Sequence, residues 1–203
     1  MPYEGRDYSR LLGTEGFSDQ LLNNHFTLYK GYVTNTNTLN EQLAALHKEG
    51  KSRTPLYAEL KRRFGWEFNG MRLHEYYFGN MAKGGTRLDA NSQLQKKIIE
   101  DFGSANNWED DFKATGSMRG IGWVALYYDT YGGRLYNSWI DEHATGHLAG
   151  ATPVLIMDVF EHAFITDYGL KRADYIEAFF KSVDWTVAAK RLGAVSASKA
   201  AMV

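Results

Sequence analysis

The hydrophobic period of this chain changes just past its midpoint, and that change limits the architectures open to it. As far as Gly116, apolar residues recur every three to four positions, the spacing of one helix face. Leu21, Leu22, His25, Leu28, Tyr29, Tyr32 and Val33 form the first such stripe and predict a long helix, or two, from 17 to about 46. Gly50 ends it, and Thr54-Pro55 restarts a helix with threonine as N-cap and proline at the first helical position. Gly65 and Gly70 are expected to interrupt that helix, with a third helical pattern over MRLHEYYFGNM (71–81). Two amphipathic helices follow over 90–102, with Asp89 as the expected cap, and over 107–116.

From Gly122 the pattern is that of strands. GWVALYYD (122–129) and RLYNSWID (134–141) are β-rich runs separated by TYGG, a hairpin signal, and PVLIMD (153–158) is a short apolar run suited to a buried third strand. A final helix is expected over 174–185 and a loose tail from about 193. The sequence thus predicts an α+β fold: an N-terminal helical hairpin, then a domain with a three-stranded antiparallel sheet flanked by helices. The double glycine of AKGG (82–85) places the expected boundary, giving a helical hairpin domain at 1–85 and an α/β domain at 86–203.

Composition removes several chemistries. The chain of 203 residues has no cysteine, which excludes disulfides, thiolate metal sites, iron–sulfur clusters and a cysteine nucleophile. Any metal would have nitrogen and oxygen ligands. Lys+Arg 23 against Asp+Glu 24 gives a net charge of −1, so no bulk charge draws the protein to nucleic acid or to a membrane surface. No apolar run is long enough to span a bilayer, and the polar start MPYEGRDYSRLLG has no signal-like core, so the expected compartment is the cytoplasm. P-loop, dinucleotide, nucleophile-elbow and H-E-x-x-H motifs are absent.

Six histidines remain as candidates for chemistry: His25, His47, His74, His143, His147 and His162. Asp158 and His162 stand four residues apart directly after an apolar run, a spacing that places two side chains on one face of a helical turn. A hydrogen-bonded Asp–His pair accounts for this spacing, and so does a shared cation. His25 lies on the apolar stripe and His74 among aromatics, where a lone histidine is most simply a satisfied core residue. Taken together, the four make a three-imidazole, one-carboxylate set suited to manganese or iron. His143 and His147 form an H-x3-H pair in a Gly/Ala-rich loop; His147 reads as a loop residue and His143 as able to turn inward.

Four segments, spanning most of the chain from about 17 to 190, resemble the iron/manganese superoxide dismutases: LLNNHFTLYKGYVTNTN (21–37), LHEYYF (73–78), FGSANNWEDDFKATGSMRGIGWVAL (102–126) and PVLIMDVFEHAFITDYGLKRADYIEAFFKSVDW (153–185). The resemblance implies dismutation of superoxide at one manganese or iron ion per subunit. It makes His74, Asp158 and His162 the second, third and fourth ligands, lines the pocket with Trp123, and places Glu161 at a homodimer interface. The family spaces its first ligand eight residues before a Tyr-Val-x-Asn motif. Here Tyr32-Val33-Thr34-Asn35 is plain, yet eight back is Asn24 and His25 is seven back. His25 is the ligand if the helix has lost one residue; otherwise Asn24 takes the place. Tyr32 is the implied proton-relaying gate, with Tyr29 as the other candidate. His143 falls where the family carries a proton-holding side chain, and Gly70 where iron-type members carry glutamine. Lys30 and Arg72 are the expected steering cations. The alternative implication is a dismutase-like fold that binds a metal or a partner without dismutase activity.

Overall fold

The structure, a computed structural model, describes residues 1–199. The apolar stripe becomes a single helix, α1 (Asp19–Lys48), whose N-terminus is capped by the Ser18 hydroxyl accepting from the Leu21 N–H. After a short turn, α2 (Pro55–Gly79) packs back along it, capped by Thr54 with Pro55 in its first turn. Gly65 and Gly70 do not interrupt α2, contrary to the sequence expectation, because neither adopts a left-handed backbone and both lie inside the hydrogen-bonded helix.

Helices α3 (Gln93–Phe102) and α4 (Ala105–Gly116) follow. Ser92, and not Asp89, caps α3; the Asp89 carboxylate instead accepts from the Asn91 N–H in the preceding turn. Strands β1 (Gly122–Asp129), β2 (Arg134–Asp141) and β3 (Ala151–Asp158) form one antiparallel sheet in the order β2-β1-β3. β1 lies in the middle, which is why seven of its eight residues are buried. Its register sets Trp123 beside both Ile140 and Asp158. Gly122, at φ +151, fits there because a Cβ would sit 1.9 Å from the Ile140 carbonyl oxygen.

A 3-10 turn (Glu161–Ala163), the short α5 (Ile165–Tyr168) and α6 (Arg172–Ser182) follow β3. The expected final helix over 174–185 is two helices, since α7 (Trp185–Lys199) begins after a turn. Helix thus extends through the expected tail as far as Lys199, and residues 200–203 lie outside the described residues. Burial of Trp185, Ala188 and Leu192 anchors α7 and outweighs the roughly 1 kcal/mol by which Gly193 disfavours a helix. The observed class is α+β, with two N-terminal helices ahead of a three-stranded antiparallel sheet and its flanking helices.

Two sets of contacts tie the end of α2 and the segment after it to the rest of the fold. β3 has a free edge, and the Asn80 amide covers it: Asn80 Nδ2 donates to the Ile156 carbonyl at 3.2 Å while Asn80 Oδ1 accepts from the Ile156 N–H at 3.0 Å. An amide side chain here does the work of a neighbouring strand. The glycine-rich segment at 82–85 is likewise tied down, with the Ala82 N–H donating to Ser182 O and the Thr86 N–H to Val183 O. Among the described residues no helix is long and apolar enough to cross a membrane.

Candidate metal centre

His25, His74, Asp158 and His162 converge, with one potential ligand atom from each lying within 4.8 Å of all the others. Each arrives from a different part of the fold. His25 occupies the buried face of α1, between Leu22 and Phe26, and Asn24 points outward; helical period alone separates the two. His74 stands on the buried face of α2. Asp158 ends β3, and His162 returns to it from the 3-10 turn, so their spacing works through a strand-to-turn reversal and not along a helix.

The three histidine Nε2 atoms face one oxygen. His25 and His162 Nε2 each lie 3.2 Å from Asp158 Oδ2, and His74 Nε2 lies 3.8 Å away. Asp158 has no Lys or Arg within ion-pair distance among the described residues, although its side chain is 0% exposed. Its other oxygen accepts from the Phe160 N–H at 2.9 Å. Burial alone would raise the Asp158 pKa, but the neighbouring His162, with hydrogen bonds from His162 and His25, holds it far below the ordinary carboxylate range. Burial lowers the pKa of His25 and depresses that of His74 further, so both imidazoles are neutral. The group therefore sets a buried carboxylate beside two imidazoles that burial keeps from charging, with no Lys or Arg at ion-pair distance among the described residues, which is costly without a cation.

His74 shows that a cation fits. Its Nδ1 lies 2.6 Å from the Gly70 carbonyl, which can only accept, so the proton is on Nδ1 and the lone pair on Nε2. That Nε2 is buried and has no hydrogen-bond partner among the described residues. An orphaned acceptor of this kind costs about 1–3 kcal/mol, and a metal ion satisfies it. Only His162 opens toward solvent, at 27% side-chain exposure.

Beside this group lies a second array with a fixed proton direction. The Trp123 indole N–H donates to His143 Nδ1 at 3.0 Å, which makes Nδ1 the acceptor and leaves the imidazole proton on Nε2. Nε2–H then donates to Tyr32 Oη at 2.8 Å, leaving the Tyr32 O–H free to donate elsewhere. Burial pushes His143 down to about 4 and Tyr32 up to about 12, the Asp158 charge adding to the second shift. The Tyr32 ring lies over His74, with centroids 5.2 Å apart. Seven residues after His25 is two helical turns, so Tyr32 shares its face of α1.

Other sequence candidates go elsewhere. Tyr29 is buried with its hydroxyl donating to Glu75 Oε1 at 3.0 Å, away from Tyr32 and His143. Arg72 pairs with Glu75 at 2.5 Å and stacks on Tyr3 and Phe68, so it does not serve this centre; Lys30 is exposed. His147 is a loop residue, accepting from Tyr127 and donating to the His143 carbonyl. Glu161 is exposed next to His162. Sequence reading passed over Trp66 and Phe160, whose rings flank His143 at 4.8 Å each, and Asn69, whose amide donates to the His143 carbonyl at 2.8 Å. No periodic signal marks these three, because a loop folding over α2 brings them together.

Comparison with known proteins places the chain in context. Residues 90–191 match the family model described as iron/manganese superoxide dismutases, C-terminal domain. An iron superoxide dismutase of Aquifex pyrophilus is 36% identical over 193 residues, covering 93% of this chain and 90% of the relative. One from Cupriavidus metallidurans, also named for iron, is 39% identical over 88% of this chain and 90% of its own. A protein of Haloferax volcanii named for manganese is 36% identical over 86% of each chain.

Proposed function

Since this chain belongs to the iron/manganese superoxide dismutase family, we propose that it converts two superoxide anions and two protons into oxygen and hydrogen peroxide, with one manganese or iron ion bound per chain. The observation that carries the reading is the buried, partnerless His74 Nε2 facing the Asp158 carboxylate within the three-histidine group. His25, His74, His162 and Asp158 are the residues we propose as ligands. Bound there, the ion supplies one-electron oxidation and reduction in alternation.

The remaining chemistry is proton delivery, because superoxide accepts an electron readily only as protons arrive. Tyr32 is proposed as the donor at the site. Its oxygen already accepts from His143 Nε2–H, so its own O–H is free to point at substrate. As Tyr32 gives up its proton, its oxygen goes on accepting from His143 Nε2–H, which stabilises the phenolate until a solvent proton restores it; His143 Nδ1 stays held by the Trp123 N–H throughout. Phe160 and Trp66 keep water from the array and so preserve this direction. We further propose a cytoplasmic homodimer joined beside the centre. Exposed Glu161 lies next to His162, and Ile165 and Leu170 remain 48% and 95% exposed on the segment that follows.

Elemental analysis of protein expressed with both metals available tests the reading, followed by a dismutase assay with the metal found. About one manganese or iron per chain with dismutase activity is the expected result. Stoichiometric metal without activity would favour the non-catalytic alternative, and failure to bind either metal after reconstitution would overturn the ligand assignment.

A further inference from the structure

A different face of α2 carries a second charged site. Glu75 and Tyr76 follow Arg72 by three and four residues and lie on its side of the helix, while His74 lies on another face. With Arg6 and Arg191 they line a cavity of about 320 Å³. Three guanidinium groups and one carboxylate give this cavity a formal charge of +2.

The carboxylate is already committed. Glu75 Oε2 holds Arg72 at 2.5 Å and stands 4.0 Å from Arg6, and Oε1 accepts from the Tyr29 O–H. Arg191 has no share in it. Its Nη1 donates to Asn80 Oδ1 and Val154 O, and its Nη2 to Tyr76 O, each at 3.1 Å. All three acceptors are neutral, and Arg191 has no ion-pair partner among the described residues. A guanidinium has five N–H donors, so two of those on Arg191 lack an acceptor among the described residues. Burial also lowers its pKa to about 10, the response of a cation missing its counter-charge. Arg6, beside the Tyr8 hydroxyl, keeps 64% of its side chain exposed at the mouth.

We infer that this cavity binds a phosphate-type oxyanion, held by Arg6, Arg72 and Arg191. A dianionic phosphate matches the +2 charge, and its several oxygens suit forked guanidinium donors better than the two oxygens of a carboxylate. The volume leaves space for a substituent, so the group is either free phosphate or a phosphate monoester. This inference does not depend on the dismutase reading.

Calorimetric titration of the metal-loaded full-length protein at low ionic strength tests it, with inorganic phosphate in one arm and ribose 5-phosphate in the other. Saturable one-to-one binding that weakens as salt is raised is expected. Arg6→Glu, which alters an exposed side chain and leaves the fold intact, should weaken binding at least about tenfold, as loss of one charge-assisted contact does. Arg191→Lys should weaken it similarly, since an ammonium cannot reproduce the fork. Tighter binding of the ester identifies the monoester as the ligand; equal binding identifies free phosphate. Absence of saturable binding in both arms would overturn the inference. Binding unaffected by Arg6→Glu but lost from metal-free protein would also overturn it, because the anion would then sit at the metal centre.

Discussion

Replacing Gly70 by alanine gives a direct test of how α2 supports Tyr32. An added Cβ would lie 2.6 Å from Tyr32 Cδ1 and 2.7 Å from Cε1, whereas carbon atoms meet comfortably at about 3.5–4.0 Å. The ring must therefore retreat by about 1 Å. Tyr32 Oη accepts from His143 Nε2–H at 2.8 Å, and a retreat of that size takes the pair beyond hydrogen-bond range. Loss of one such bond is worth about 0.5–1.5 kcal/mol, and about 1.4 kcal/mol is tenfold in rate, so dismutase activity should fall roughly two- to tenfold. Metal content should stay the same, because the Gly70 carbonyl that orients His74 is kept in alanine.

Stability gives the internal control. Alanine improves helix propensity by about 1 kcal/mol over glycine, while overpacking costs about 1–3 kcal/mol, so Gly70→Ala should be neutral to about 2 kcal/mol destabilising. Gly65, in the same helix, has nothing within 4 Å of a built Cβ. Gly65→Ala should therefore stabilise by up to about 1 kcal/mol and leave activity unchanged. Urea denaturation, metal analysis and the dismutase assay on both variants decide the matter. A fully active Gly70→Ala protein, or one stabilised as much as Gly65→Ala, would refute the argument that the glycine exists to admit the tyrosine ring.

Asp158→Ala removes the only carboxylate of the four-residue group, and metal analysis should then find well under one ion per chain. Removing the metal from the natural protein by chelation should lower its melting temperature, and manganese or iron should restore it, because a ligand at about a hundred times its Kd adds about 2.7 kcal/mol of stability. Asn80→Ala deletes the amide that covers the β3 edge and leaves the Ile156 N–H and C=O unpaired, so denaturation should show a loss of about 2–4 kcal/mol. Trp123→Phe takes the N–H from His143 Nδ1; nitrogen NMR of the metal-free protein should change from a single Nε2–H tautomer to a mixture, and an unchanged spectrum would sink the assigned proton direction.

What could be read from the sequence, and what could not, follows from how far apart the interacting residues lie. Helical period reports which face of an element is buried, and it puts His25 on the stripe with Leu21, Leu22 and Tyr29, but the count back from Tyr32-Val33-Thr34-Asn35 leaves Asn24 as the other candidate; the structure buries His25 and exposes Asn24. The hairpin and the third strand were legible for the same reason, as was the capped start of α2. Period says nothing about what the buried face meets. Gly70 looks like a helix breaker in sequence, but its cause is the Tyr32 ring on another helix; Gly193 looks like the start of a tail, yet buried neighbours carry α7 past it. Asn80 reaches Ile156 across 76 positions, and Tyr32 reaches His143 across 111, through contacts that no local pattern encodes. The residue types proposed as ligands are therefore visible one element at a time. Their orientation depends on single side chains joining those elements, so Gly70, Asn80 and Trp123 are where substitution should alter function without touching a ligand.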